Sequence, residues 1–481
     1  MAVKTTDGYE WTPTSTTVSK GLDCDAVVQP PRRTDISFNR LHDVIVIGAG
    51  YAGLAAARDL ATKGKFGVEA IMEFKKANSR PLGFLYEMGG TWVTHHMGYL
   101  LREMVRYNMD RDLIETGAEP RKLTQEEAGA MTSRAWDIFV NVDGQYCRTI
   151  CPLPHAQLNN IVVDRAMVEK WDRLSCQDRF EQIKDQFNAE ERGLLVSLLL
   201  HISGGDMETS SFWDMARSHA LMTHDSKNFG DIWLRYKLKG GQTALARSIF
   251  QEALDYGLNY AFSTPVRSII QRSDGILVHS LVGETFRARK IVCTVPLNVL
   301  KDVNFTPPLS TVRQEAIDLG HVNQMSKIHV DVSNPTLEGW NGMRYPGALM
   351  YGYSDGVLPN GNVHIVGFGK DEKGAFVPEQ NPQSAVEAFQ QLHPMSVQRM
   401  IFHNWSTDPY SKGGPAWWRP GYMSKYQDEL QSRHGDVFFA NGDWAHGWRA
   451  SIDGALEQGI TNAQQIAMEL RHVGNVLQSR L

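Results

Sequence analysis

The first strongly patterned stretch of the chain is an uninterrupted apolar run, VIVI at residues 44–47, which ends in a glycine. Such a run is typical of a strand that is buried on both faces of a parallel sheet. Apolar and β-branched residues predict further strands at residues 276–280, 290–295, 327–332, 364–368 and 437–440. Apolar residues at helical spacing predict amphipathic helices over residues 181–201 and after Ser451. Strand patterns and helical spacing in the same chain together indicate a mixed α/β protein.

Polar residues occupy alternate positions of the predicted strand 327–332. Because successive side chains point to opposite faces of a strand, Lys327, His329 and Asp331 share one face and the other face is apolar. On this pattern alone, Lys327 is interpreted as a solvated lysine.

Composition narrows the classes of protein that fit the 481 residues. With 42% hydrophobic and 21% charged residues, the chain has an ordinary globular composition and is long enough for two domains. A net charge of −5 gives no general attraction for nucleic acid or an anionic membrane, so a small molecule is the expected partner. Five cysteines without a C-x-x-C pair indicate neither a disulfide framework nor a zinc site, and no metal is predicted. No membrane span is expected, and a homo-oligomer stays open.

Both ends of the chain differ in character from its middle. Residues 1–41 are polar and contain a Pro-Pro pair, so we expect an extended lead-in that lies over the surface. The last three residues are Ser479-Arg480-Leu481, a variant of the Ser-Lys-Leu peroxisomal address. Three residues also occur by chance, so the sequence predicts a peroxisomal or a cytoplasmic protein.

A glycine-rich turn directly follows the first buried strand. In VIVIGAGYAGLAAARDL, Gly48, Gly50 and Gly53 form the G-x-G-x-x-G pattern, and a helical pattern follows at once. The first glycine permits a tight turn, the second lets the backbone approach a pyrophosphate, and the third lets the helix pack closely on the sheet. The N–H groups at the start of that helix favour phosphate. In this context, the pattern predicts a dinucleotide site.

A dinucleotide site of this kind places an acid on the ribose hydroxyls, about twenty residues beyond the glycines. Glu73, at the end of VEAIME, is the best candidate. Glu69 is the alternative, and either residue fits a solvated carboxylate.

Several further stretches form one pattern with this turn. They are DGYEWTP from residue 7, YEMGGTWV from 86, SGGDMETSSF from 203, VCTVPLNVL from 292, FHNW from 402, FANGDWAHGWR from 439 and IDGALEQG from 452. In these motifs the chain resembles the flavin-dependent amine oxidases over nearly its whole length. It looks most like the fungal monoamine oxidases that bind FAD without a covalent bond. The resemblance implies a Rossmann-like FAD-binding domain and a discontinuous substrate domain of mixed sheet and helix.

The same resemblance implies the domain boundaries. The FAD-binding domain would comprise residues 42–101, 240–305 and 433–475, and the substrate domain residues 102–239 and 306–432. Residues 1–41 would be the lead-in and residues 476–481 a C-terminal tail.

The resemblance assigns the flavin to segments that are far apart in the sequence. The double glycine 89–90 matches the place where the family's backbone passes close to the flavin, and Asp443 matches an acid on the ribityl chain. The helix that starts at Ile452 matches one aimed at the pyrimidine ring, where its partial positive charge would stabilise an anionic reduced flavin. The predicted cofactor-binding residues are Gly48, Gly50, Tyr51, Ala52, Gly53, Glu73, Arg80, Gly89, Gly90, Thr91, Trp92, Val266, Thr294, Pro296, Trp405, Gly442, Asp443, Ser451, Ile452 and Ala455.

Lys327 matches the family lysine that holds a water beside flavin N5 and assists the reaction with oxygen, which makes it the predicted catalytic residue. The implied reaction oxidises an amine to an imine, which water hydrolyses, and reduces O₂ to H₂O₂. The amine should react in its neutral form, since an ammonium has no lone pair to assist C–H cleavage.

The sequence departs from the family pattern at three places. The segment 74–85 is shortened and lacks a double glycine that wraps the pyrophosphate, although Arg80 is a candidate replacement for its arginine. Gly414 stands where some relatives attach FAD through a cysteine, so a covalent bond there is impossible. Pro415 and Ser451 stand where two aromatic rings usually flank the amine.

The third departure predicts an altered substrate pocket around Pro415, Ser451 and Trp417, for a bulky or atypical amine. Trp417, Trp418 and Trp448 are candidate substitutes for the lost rings. Two other functions stay open: a flavin-dependent desaturase or cyclase of a secondary-metabolite pathway, and a degenerate oxidase with weak FAD binding.

Overall fold

The structure is a computed structural model that describes residues 3–5, 7–24, 40–64, 68–72, 78–79, 85–115, 125–151, 165–370 and 376–478. The predicted ribose acid Glu73, the candidate Arg80 and the C-terminal Ser-Arg-Leu lie outside the described residues.

Twenty-two strands occur in the described part of the chain. In chain order they are β1 Val3–Lys4, β2 Tyr9–Trp11, β3 Ser19–Lys20, β4 Asp23–Cys24, β5 Leu41–Ile47, β6 Val68–Met72, β7 Asn78–Ser79, β8 Tyr86–Glu87, β9 Trp92–Val93, β10 Leu113–Glu115, β11 Tyr236–Leu238, β12 Asn259–Phe262, β13 Val266–Arg272, β14 Gly275–Ser280, β15 Thr285–Cys293, β16 Asn304–Thr306, β17 Ser326–Val332, β18 Asn341–Met343, β19 Leu349–Val357, β20 Val363–Gly369, β21 Val397–His403 and β22 Val437–Phe439.

Twelve α-helices are described. They are α1 Tyr51–Gly64, α2 Gly98–Arg106, α3 Gln125–Val140, α4 Arg165–Asp172, α5 Cys176–Ile183, α6 Ala189–Ser203, α7 Phe212–Leu221, α8 Gln242–Asp255, α9 Thr311–Leu319, α10 Pro382–Leu392, α11 Tyr422–Gln431 and α12 Ile452–Gln478. A π-helical turn covers Gly230–Leu234. No helix in the described ranges is long and apolar enough to cross a membrane.

The first large sheet has the strand order β12-β6-β5-β15-β14-β13-β16. Strands β12, β6, β5 and β15 run parallel, and β22 pairs with the end of β15 in the same direction. The carboxyl ends of these parallel strands therefore share one edge, which is where open α/β sheets bind ligands. The predicted strands at residues 276–280 and 437–440 both lie in this sheet.

The second large sheet is antiparallel, with the strand order β18-β19-β20-β17-β21-β2-β3. Strand β17 lies in its middle, paired with β20 and β21. Near its other end, Tyr9–Trp11 pairs with residues 400–402 and buries Trp11. This corrects the prediction of a lead-in lying over the surface, because these aromatic residues continue the apolar face of the sheet.

A helical layer connects the two sheets. One helix predicted in this layer differs from the structure. The stretch 181–201, predicted as one helix, is divided between α5 and α6, and all of its leucines lie in α6. A second helix starts because Asn188 accepts the N–H of Glu191 at 2.8 Å while the Glu191 carboxylate accepts the N–H of Asn188 at 3.0 Å. This reciprocal capping ends one helix and begins the next. The helix predicted after Ser451 is α12, which crosses α1 so closely that a Cβ on Gly459 would lie 2.2 Å from the Ala52 carbonyl oxygen.

Every residue of β17 is buried, including the face that carries Lys327, His329 and Asp331. Alternation did place these three side chains on one face. The interpretation of Lys327 as a solvated lysine is wrong, because its face packs against the segment that follows β8 and has no access to water.

Candidate active site

The glycine-rich turn joins β5 to α1 at the carboxyl edge of the first sheet. Gly48 has a φ of +112°, which residues with a side chain rarely adopt. A Cβ on Gly53 would lie 2.1 Å from the carbonyl oxygen of Gly48, so α1 can start this close to the strand only with glycine. A Cβ on Gly50, in contrast, would meet no atom of the described residues within 4 Å. The turn therefore faces open space at Gly50, beside the N-terminus of α1, and a phosphate fits there.

Two other strand ends are fixed to this turn. Thr294, which follows β15, donates its N–H and its hydroxyl to the carbonyl oxygen of Ile47 at 2.9 and 2.8 Å. Its hydroxyl also lies 2.2 Å from where a Cβ on Gly48 would be. Asn441, which follows β22, donates its side-chain amide to the carbonyl oxygen of Thr294 at 2.8 Å. Three parallel strands thus end in one hydrogen-bonded rim.

Asp443 lies half-buried beside the same rim. Its carboxylate accepts the N–H of Leu297 at 2.9 Å. Burial raises the pKa of this carboxyl to about 6, although the Leu297 N–H opposes the shift. The neighbouring Pro296 is half-buried in the same loop. The structure therefore brings three predicted cofactor residues, Thr294, Pro296 and Asp443, to the edge that carries the glycine turn.

Lys327 reaches from the second sheet to the double-glycine segment. Its ammonium donates to the carbonyl oxygen of Gly89 at 3.0 Å, to the hydroxyl of Thr91 at 2.6 Å and to the carbonyl oxygen of Glu87. The ring of Phe368 lies 5.8 Å from the same nitrogen. The predicted catalytic lysine and the predicted flavin-facing glycines therefore form one structural unit.

Two more side chains of the second sheet hold this segment. The hydroxyl of Tyr86 donates to the Asp331 carboxylate at 2.8 Å, and the indole N–H of Trp405 donates to the carbonyl oxygen of Met88 at 2.9 Å. Anchors on both sides of residues 87 and 88 fix the backbone that leads to the glycines. Trp405 is thereby fixed beside the segment that carries the double glycine.

Burial shifts the titration of Lys327 and Glu87 in opposite directions. It lowers the pKa of the lysine, which Glu87 partly restores, and it raises the pKa of the glutamic acid, which the N–H of Gln242 and the charge of Lys327 lower. The Glu87 carboxylate accepts that N–H at 3.0 Å. Both shifts favour neutral side chains, so a proton can move at Lys327 near neutral pH at a small free-energy cost.

The start of α12 meets the double glycine and the rim. A Cβ on Gly90 would lie 3.4 Å from the side chain of Ile452, and a Cβ on Gly442 would lie 3.1 Å from the carbonyl oxygen of Ser451. The Ser451 hydroxyl accepts the N–H of Gly454 at 3.3 Å and so caps the helix. Ala455 follows on the first turn. The positive end of α12 is thereby placed between the two sheets.

A cavity of about 210 Å³ opens beside this convergence. The predicted pocket residues Pro415, Trp417 and Ser451 all line it, and so do Trp92 and Phe368. Four indole rings line the cavity in all, those of Trp92, Trp136, Trp233 and Trp417. The aromatic surface lost at two family positions is therefore supplied from other segments.

A larger outer cavity of about 1290 Å³ lies between α3, α6 and β18. It shares Trp136, Met222 and Phe229 with the inner cavity, so these three side chains form the partition between the two. The outer cavity therefore adjoins the inner cavity at these three side chains.

The remaining predicted residues have other positions. Val266 starts β13 four residues after Phe262, whose partner Met72 ends β6 at the same edge.

Trp418 and Trp448 are buried in the core, and the Trp448 indole N–H donates to the carbonyl oxygen of His96 at 3.1 Å. These two residues are therefore not substitutes for the lost rings. Tyr51 and Ala52 lie at the start of α1, where the Tyr51 hydroxyl donates to the Gln242 carbonyl oxygen at 2.6 Å. Glu69 lies on β6.

Sequence reasoning missed three buried charged residues of the cavity wall: Asp214, Arg217 and Arg449. Arg449 and Asp214 form an ion pair and come from segments more than two hundred residues apart. The only local signal was an arginine in WRAS, just before a helix that starts at the site.

The fold and the site together define an oxidoreductase of the dinucleotide-binding α/β class, with a nucleotide turn on one sheet and a buried lysine on the other. The family model for flavin-containing amine oxidoreductases matches residues 51–467. The chain belongs to this family. FAD is accordingly its cofactor, and the open space at Gly50 fits the phosphates of that group.

Relatives agree with this assignment. The chain is 28% identical to pseudooxynicotine dehydrogenase of a Pseudomonas species, over 89% of this chain and 87% of that one. It is 24% identical to nicotine dehydrogenase of Pseudomonas putida, over 88% of each chain. The structure of cyclohexylamine oxidase from Brevibacterium oxydans superposes with a TM-score of 0.70 at 17% identity, over 90% of this chain and all of that one. The fold and the class of reaction, amine oxidation, are thus confirmed.

Proposed function

We propose that the protein oxidises a bulky or atypical amine to an imine, which water hydrolyses to a carbonyl compound, and that O₂ accepts the electrons to give H₂O₂. One observation carries this proposal. Lys327 contacts the double glycine, which in turn lies against the start of α12. Trp92, Phe368 and Ser451, next to these elements, line an aromatic cavity. Bound FAD would accept the hydride equivalent from the carbon next to the amine nitrogen.

The chain contributes binding, orientation and a dry environment. The glycine turn and the N-terminus of α1 would hold the pyrophosphate, and Asp443 would lie near the ribityl chain. The aromatic rings of the cavity exclude water and bind an apolar amine. Lys327 holds a transferable proton at its Nζ atom, within reach of the Gly89 carbonyl oxygen and the Thr91 hydroxyl.

The residues that line the cavity support a bulky substrate. Pro415 and Ser451 line the cavity without aromatic rings, so the flavin-facing side is more open than two facing rings would leave it. The two relatives above act, by their names, on pseudooxynicotine and nicotine, which are amines with a ring attached. An amine with a bulky aromatic substituent fits this cavity better than a short alkylamine.

The acceptor and the class of product are tested together. Purified protein is mixed anaerobically with a panel of amines, and bleaching of the flavin absorbance identifies those that reduce it. Air is then admitted, and peroxide, aldehyde and ammonia are measured. The proposal requires peroxide in one-to-one ratio with substrate and release of a carbonyl compound. Slow reoxidation by air but fast reoxidation by an artificial acceptor would show a dehydrogenase, the word that names both relatives.

The C-terminal Ser479-Arg480-Leu481 supports a peroxisomal location, where a peroxide-forming enzyme would be expected. A fusion of a fluorescent protein to the N-terminus should enter peroxisomes, and deletion of the three residues should leave it in the cytoplasm. A diffuse signal from both fusions would contradict the assignment.

A further inference from the structure

The wall of the inner cavity contains a buried arginine whose hydrogen-bonding capacity is only partly used. Arg449 donates from Nη2 to one oxygen of Asp214, and its guanidinium carbon lies 3.6 Å from the centre of the Trp418 ring. Its Nη1 is buried and has no hydrogen-bond partner among the described residues. A charged donor that is buried without a partner is unfavourable, because its lost hydration is not replaced.

Within the described part of the chain, the neighbouring charged side chains form no hydrogen bond with Arg449 Nη1. Asp214 is already shared, since its second oxygen accepts the N–H of Trp418 at 2.6 Å. Arg217, the second arginine of the wall, donates to the carbonyl oxygens of His446 and Gly447.

Three other acids lie close to these arginines: Glu457, Asp172 and Asp443. Glu457 accepts the N–H groups of His446 and Gly447 at 2.7 and 2.9 Å, and none of the three lines the cavity. Burial and the charge of Arg449 lower the pKa of Arg217 to about 9. The lining itself thus carries two arginines and one aspartate.

We propose that the amine substrate carries a carboxylate, which accepts hydrogen bonds from Arg449 Nη1 while the amine end faces Ser451 and the double glycine. The proposal rests on the amine oxidation proposed above and specifies its substrate class. A carboxylate would satisfy the unpaired donor.

Arg449 would be a specificity-determining residue in this arrangement. Its ion pair with Asp214 fixes the guanidinium, and its stacking on Trp418 fixes the plane, so the free Nη1 has a defined direction. A purely structural role would need the ion pair and the stacking but would leave binding of carboxylates and alcohols equal.

The first experiment measures binding without turnover. The holoenzyme is titrated with hexanoate and with 1-hexanol, and quenching of tryptophan fluorescence from the four indoles of the wall reports occupancy. We expect hexanoate to bind at least roughly tenfold more tightly than the alcohol. Equal affinities would overturn the carboxylate site.

The second experiment measures anaerobic flavin reduction by 6-aminohexanoate and by hexylamine. The carboxylated amine should reduce the flavin at least roughly tenfold more efficiently. Reduction by hexylamine alone would overturn this inference and leave amine oxidation intact. If hexanoate binds but no amine reduces the flavin, the carboxylate site stands and the proposed function fails.

Variants assign the preference to Arg449. Arg449→Met combined with Asp214→Asn removes the ion pair as a unit, so no buried charge is left alone, and Asn still accepts the Trp418 N–H. This double variant should lose the preference for carboxylates, and Arg449→Lys should lose most of it while keeping the charge. Arg433→Met, which removes a surface ion pair with Glu469, is the control that should keep the preference. A preference that survives in the double variant overturns the inference.

Discussion

The nucleotide turn and the inner cavity represent two ways of building a binding site. At Gly48, Gly50 and Gly53 the chain offers backbone, and side chains are absent because the structure has no room for them or because a ligand needs the space. In the cavity the chain offers side chains from distant segments, and rings lost at two positions are supplied from others. A binding site formed by the backbone tolerates few substitutions, whereas a site formed by side chains can be rebuilt from residues at other positions. Within one molecule, the cofactor end is therefore constrained and the substrate end is free to diverge.

The largest expected effect separates the two kinds of glycine in the turn. Gly50→Ala should leave the fold intact, because within the described part of the chain its Cβ meets no atom within 4 Å, but should weaken FAD binding by roughly 100-fold, about 3 kcal/mol. Gly53→Ala should lower the melting temperature of the protein without FAD, because its Cβ lies 2.1 Å from the Gly48 carbonyl oxygen. Calorimetry of FAD binding and thermal unfolding of both proteins check this. If Gly50→Ala keeps full affinity, the pyrophosphate lies elsewhere.

Lys327 lies where the cofactor end and the substrate end of the site meet, and its replacement should have the next largest effect. Lys327→Met should slow reoxidation of the reduced flavin by O₂ on the order of 100-fold, because proton transfer by a positioned group contributes about that much. Anaerobic reduction by amine should change less. Stopped-flow absorbance separates the two phases. Lys290→Met is the matched control, since Lys290 is a buried lysine of the first sheet, paired with Asp436 and Glu469. Equal slowing in both variants would indicate general destabilisation.

The pH profile tests the cavity. If only the neutral amine reacts, the kcat/KM for flavin reduction should rise about tenfold per pH unit below the pKa of the amine. Two amines of different pKa, measured across the same range, should give profiles displaced by the difference between their pKa values. If both amines give profiles with the same apparent pKa, the titration of a protein group, such as Lys327 or Glu87, controls the reaction.

The smallest expected effect comes from restoring a ring. Pro415→Tyr should narrow the cavity and raise the efficiency with benzylamine by roughly fivefold, about 1 kcal/mol of aromatic contact, while lowering it for bulkier amines. Steady-state kinetics with both kinds of amine measure the change. Arg433→Met again serves as a surface control. A fall in efficiency with both substrates would show that the open side of the cavity is not a substrate-binding wall.

Much of the fold could be predicted from sequence because local patterns carry it. The buried strand at residues 44–47, the glycine turn and α12 follow from apolar runs, glycine spacing and helical period, and the structure has each of them. The division between α5 and α6 was missed because the helix was extended backwards from leucines that all lie in α6, and the start of α6 is marked by the capping pair Asn188 and Glu191.

The site was predictable only in part, since alternation shows which residues share a face and not what covers that face. The covering segment, residues 86–91, lies about 240 positions away from Lys327 in sequence. Asp214 and Arg449 are still less visible, because each is an ordinary charged residue until the fold brings them together. Family resemblance predicted a role for Lys327, but it gave no information on the charges of this cavity wall.

Pairing of Tyr9–Trp11 with residues 400–402 has a consequence for how the protein is made. At a synthesis rate of roughly 5–20 residues per second, the first strand of the second sheet waits tens of seconds for its partner to leave the ribosome. The sheet that carries Lys327 therefore closes only near the end of translation, and nascent chains that stall before this point expose the aromatic edge to chaperones.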